Sequence, residues 1–61
     1  MKILVFGATS AIAKSAARIY AGRNAQLFLI GRDRERLKKM KIDLEFRGAD
    51  SVEILALDIV K

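Results

Sequence analysis

Three short apolar runs punctuate the chain: KILVF over 2–6, QLFLI over 26–30 and SVEILAL over 51–57. The first two are continuous rather than alternating, the pattern of strands covered on both faces of a parallel sheet. The third carries Glu53 and reads as a strand nearer a sheet edge. Between the first two runs, residues 11–21 put Ile12, Ala16, Ile19 and Tyr20 on one helical face and fill the rest with alanines. Small side chains let such a helix lie close on a sheet, with Tyr20 in the core and Gly22 as its C-terminal stop. Residues 33–47 repeat Leu37, Met40 and Leu44 on one face, opposite a heavily charged one. Asp33 is the expected N-cap and Gly48 the expected end. Glu35 with Lys39, and Asp43 with Arg47, are spaced to pair along this helix.

The order is therefore β1-α1-β2-α2-β3, an α/β arrangement with a parallel sheet and right-handed crossovers, in one domain over 1–61. Strands advancing in one direction put both helices on the same face. The opposite face, apolar from the first two strands, is then bare, and the first strand offers an open edge. Exposed surface of that kind invites pairing, so the chain is expected to belong to a longer protein or to associate with itself or another chain.

Length sharpens that expectation. Domains of about 60 residues bury only about 60% of their unfolded surface and usually need disulfides, a metal or a partner. The chain has no cysteine and no histidine, which excludes disulfides and the commonest metal sites. Its 52% apolar content is too high for a disordered segment. "MKILVFGA" superficially resembles a signal peptide, but Gly7, Thr9, Ser10 and Lys14 interrupt the run too early. No stretch approaches the roughly 18 apolar residues that span a membrane, so a cytoplasmic protein without membrane contact is expected. Net charge is +5, with Arg32, Arg34, Arg36, Lys38, Lys39 and Lys41 crowded together. These cations alternate with acids around a helix that must also bury Leu37 and Met40, and no strand face is rich in aromatics. Nucleic-acid binding is therefore not expected.

The turn after the first strand is the chemically suggestive feature. It sets the backbone N–H groups of residues 8–13 at a helix start, where unpaired donors and the helix dipole favour an anion. Gly7 permits a sharp turn, and Thr9 and Ser10 add hydroxyls. Here the chain resembles the short-chain dehydrogenase/reductase family, whose fingerprint is T-G-x-x-x-G-x-G after the first strand. This sequence reads Phe6-Gly7-Ala8-Thr9-Ser10-Ala11-Ile12-Ala13: Gly7 matches the first glycine, and Ala11 and Ala13 replace the second and third. "IGRDRERL" (30–37) and "LEFRGADSVEILALDI" (44–59) extend the resemblance over nearly the whole chain.

The resemblance implies the first half of a three-layer Rossmann-type fold, with Gly7, Thr9, Ser10, Ala11, Ile12, Arg32 and Asp58 at the adenine and pyrophosphate side of a cofactor. The family's acidic position for a ribose hydroxyl falls on Gly31, and Arg32 follows where an arginine accommodates a 2′-phosphate, so NADP is favoured over NAD. Ser10 stands where some NADP-using members carry a basic residue, and Asp58 is similar to the aspartate that accepts from the adenine amino group. Ala11 in place of glycine is expected to weaken or shift the cofactor's approach. The family's catalytic serine, tyrosine and lysine have no counterpart here, since Tyr20 with Arg23 and Asn24 does not reproduce Y-x-x-x-K. The expectation is the N-terminal cofactor-binding half of an NADP-dependent oxidoreductase acting on a carbonyl or hydroxyl group. The alternative is a non-catalytic, self-associating nucleotide-binding βαβαβ module or a truncated scaffold.

Overall fold

The computed structural model describes residues 1–8 and 10–57. Their order is β1 (Lys2–Phe6), α1 (Ala11–Ala21), β2 (Gln26–Gly31), α2 (Arg34–Phe46) and β3 (Ser51–Ala56). The strands form one parallel sheet in the order β1-β2-β3, with Phe6 opposite Ile30 and Ile30 opposite Leu55. This is an α/β, Rossmann-like half with β2 in the centre.

Alternation along the strands divides the apolar residues between two faces. Leu27, Leu29 and Val52 are buried beneath the helices, with Ile3, Val5 and Ile54 packed against them. The adjacent positions Leu4, Phe6, Phe28 and Leu55 are exposed on the other face, and no described element covers them. Glu53 also stands exposed, on the outer strand β3, where the sequence suggested an edge.

Each helix begins where a side chain satisfies an otherwise unpaired N–H. The Ser10 hydroxyl accepts from the Ala13 N–H at 3.2 Å, and the Asp33 carboxylate accepts from the Arg36 N–H at 3.2 Å. α2 buries Leu37, Met40 and Leu44, the stripe expected for it. Lys41 ties this helix to β3 by donating to the Val52 carbonyl at 2.6 Å.

α1 departs from expectation. It meets the sheet through Ala17 and Ala21, both fully buried, while Ile12 and Ile19 are 85% and 60% exposed. At about 100° per residue those isoleucines lie roughly opposite Ala17. The cause is close approach: the smallest side chains bring the backbone nearest the strands, and no described element flanks the isoleucines. Tyr20 is half-buried against the core. α1 stops at Gly22 as expected, with Gly22 keeping right-handed helical angles and the left-handed conformation falling on Asn24, at φ 62°. Asparagine tolerates that region better than most residues.

Candidate functional site

The carboxyl ends of all three strands open into one cleft of about 690 Å³. Phe6 and Gly7 line it from β1 and its loop, Ile30 and Gly31 from β2, and Leu57 from just beyond β3. Ser10, Arg32, Asp33 and Arg36 complete the wall. Backbone bonds hold these strand ends together: the Ala8 N–H donates to the Ile30 carbonyl at 3.1 Å, and the Leu57 N–H to the Gly31 carbonyl at 2.8 Å. Open parallel sheets take ligands at this end because the loops there project free of the strands.

Gly7 makes the first turn possible. Its φ is +62°, and a Cβ built on it would meet nothing within 4 Å, so what the position demands is conformation and what it leaves is open space. Gly31 is constrained differently. A Cβ there would stand 3.3 Å from Cδ2 of the fully buried Leu37, so a side chain at the end of β2 requires Leu37 to shift by a few tenths of an ångström.

The donor set is narrower than the sequence suggested. Within the expected cradle of residues 8–13, the Ala8 N–H is spent on Ile30 and the Ser10 N–H on the Gly7 carbonyl at 3.0 Å. The Ala13 N–H is spent on the Ser10 hydroxyl. Ala11 and Ile12, at the first helical positions, keep backbone N–H groups without a protein acceptor among the described residues. The Ser10 hydroxyl still lines the cleft, with its lone pair committed to the cap.

Of the residues singled out in the sequence, Gly7, Ser10 and Arg32 converge on the cleft wall. Ala11 and Ile12 stand at the adjoining helix start, outside the lining set, and both are exposed. Thr9 and Asp58 lie outside the described residues. Sequence reasoning missed Arg36, which reads there as one more cation of a solvated helix. The structure brings it to the same cleft as Arg32, with Nε 3.4 Å from the Asp33 carboxylate. Its position one turn into α2, on the side that faces the capped start, was the available signal.

Asp33 is occupied twice, by the helix cap and by Arg36. The polar groups lining or adjoining the cleft are thus the Arg32 guanidinium, Arg36 paired with Asp33, the Ser10 hydroxyl with its proton still to donate, and two nearby N–H donors, around an apolar floor of Phe6, Ile30 and Leu57. Arginine forks and helix-start amides match phosphate oxygens, and the floor matches a flat apolar ring. A phosphorylated nucleotide therefore fits this donor set. Among the described residues no group of three His, Cys, Asp or Glu side chains gathers to hold a metal, and no helix is long and apolar enough to cross a membrane.

No family model matches the chain. It is similar over 59 residues, 97% of its length, to proteins named 11-beta-hydroxysteroid dehydrogenase in Pinus massoniana (36% identical) and 11-beta-hydroxysteroid dehydrogenase B in Sesamum indicum (39% identical). It is 37% identical over the same length to 11-beta-hydroxysteroid dehydrogenase-like 5 of Arabidopsis thaliana. The matched region is 17%, 16% and 15% of those three proteins, so the chain spans about one sixth of the length of the curated relatives it matches.

Proposed function

We propose that residues 1–61 are the N-terminal, adenine-side half of the cofactor domain of a cytoplasmic, NADP-dependent oxidoreductase of the short-chain dehydrogenase/reductase family, acting on a carbonyl or hydroxyl group. The observation that carries this reading is the cleft at the strand ends, where Gly7 leaves open space beside a helix start and Arg32 and Arg36 share one wall. Similarity to dehydrogenases along nearly the whole chain supports it.

In this reading NADPH, when bound, supplies the hydride. The chain's own residues bind and orient. The N–H groups of Ala11 and Ile12 donate to pyrophosphate oxygens and the apolar floor takes the adenine; Thr9 and Asp58, assigned by the sequence resemblance, add polar contacts. Arg32 and Arg36 hold the 2′-phosphate, and Gly31, backed by Leu37, leaves no carboxylate to repel it. The acid that protonates the carbonyl oxygen comes from residues outside 1–61, since Tyr20 is half-buried against the core and does not line the cleft. The remainder of the protein covers the bare sheet face and pairs with the open side of β1.

Titration of the purified protein with NADPH and NADH, followed by cofactor fluorescence, tests this. A charge-assisted hydrogen bond contributes about 1.5–3 kcal/mol, so NADPH is expected to bind about tenfold tighter or more. Equal affinities would overturn the NADP assignment. No binding of either at millimolar concentration, by a protein that self-associates, would favour the module without a cofactor.

A further inference from the structure

The second concavity of the molecule lies on the opposite side of Arg36, between the two helices. It is a groove of about 370 Å³ lined by Lys14 and Arg18 from α1 and by Arg36, Lys39 and Asp43 from α2, over Met40 and Leu44. We propose that this groove is a separate binding site for a compact oligophosphate anion.

Charge is the first argument. Four cationic side chains face the groove against one carboxylate. That carboxylate is already engaged, with Arg18 at 3.6 Å and Arg47 at 3.0 Å. Lys14 and Lys39 have no acidic partner among the described residues. The spacing of Glu35 and Lys39 had predicted a pair along the helix, and the structure instead gives Lys39 to the groove. The two lysines are distant in sequence and meet only because α1 packs beside α2. Like charges lining one groove repel, and an anion bound among them removes that cost.

Shape selects the anion. Buried Met40 and Leu44 underlie the groove, whose volume of about 370 Å³ suits a compact ligand. An acidic peptide advances about 3.3 Å per residue and spreads its charges beyond such a groove. Two or three linked phosphates concentrate theirs on Lys14 and Lys39, beside the guanidiniums of Arg18 and Arg36, each of which also reaches a carboxylate, Asp43 at 3.6 Å and Asp33 at 3.4 Å. The site stands whether or not the strand-end cleft takes NADP, because the two share only Arg36.

Calorimetric titration of the purified protein with inorganic tripolyphosphate at low salt tests the proposal. Saturable binding is expected that falls at least tenfold in the Lys14→Gln/Lys39→Gln double variant. Lys14→Arg/Lys39→Arg should recover it, which separates loss of charge from loss of fold. Arg32→Ala, which alters only the strand-end cleft, should leave the groove affinity unchanged. Absence of saturable binding would overturn the site. So would an equal loss in Lys38→Gln, whose lysine lies outside the groove, or tighter binding of duplex DNA than of tripolyphosphate at equal phosphate concentration.

Discussion

The two faces of the sheet are made from the same strands and nearly the same residue types, yet only one is buried. Beneath the helices, Leu27 is 2% and Leu29 0% exposed; one position along, Phe28 is 40% exposed. A strand meant to face water on one side alternates apolar with polar residues, whereas β1 and β2 are apolar on both. The difference teaches that the strands carry the apolar composition of a sheet covered on both sides, while the described elements cover one.

The sharpest way to break that comparison is to truncate one residue from each face. Leu29→Ala is expected to cost about 2–5 kcal/mol by leaving a cavity in the buried face. Phe28→Ala is expected to cost about 3–5 kcal/mol if its face is covered as proposed. Denaturant unfolding of both variants decides: a cost near zero for Phe28→Ala would mean that the second face stays in water.

The next effect concerns ligand rather than fold. Arg32→Ala should weaken NADPH by about 1.5–3 kcal/mol and leave NADH nearly unchanged, read as the ratio of the two dissociation constants. Equal weakening of both cofactors would show that Arg32 acts through packing. A smaller effect belongs to the helix start beside the cleft. Ser10→Ala removes the cap on the Ala13 N–H and is expected to cost about 1 kcal/mol of stability. An effect of similar size belongs to the covered face itself. Lys41→Met deletes the bond from α2 to the Val52 carbonyl while keeping much of the side-chain stem, at about 1 kcal/mol in the same unfolding measurement.

Much of this was legible in the chain because it depends on local pattern. Continuous apolar runs gave β1 and β2, the spacing of Leu37, Met40 and Leu44 gave the buried side of α2, and Asp33 before them gave its cap. Gly7 after the first run gave the turn, and its positive φ is a property glycine carries with it. At the site, Gly7, Ser10 and Arg32 could be named because each sits at a strand end or a helix start.

Other features were decided only by packing. The contact face of α1 was misread because residue size suggested isoleucines inside, whereas distance of approach selected Ala17 and Ala21. The anion cradle was read too widely because hydrogen-bond partners such as the Ile30 carbonyl for Ala8 belong to another strand. Arg36 joined the cleft, and Lys39 left its expected partner, because the placement of α2 beside α1 and the end of β2 determines where those side chains can reach. Sequence determined the elements, their order and the turn, since these rest on neighbours within a few residues. Which surfaces meet, which donors remain free and which charges converge are properties of pairs distant along the chain, and only the tertiary structure brought those pairs together.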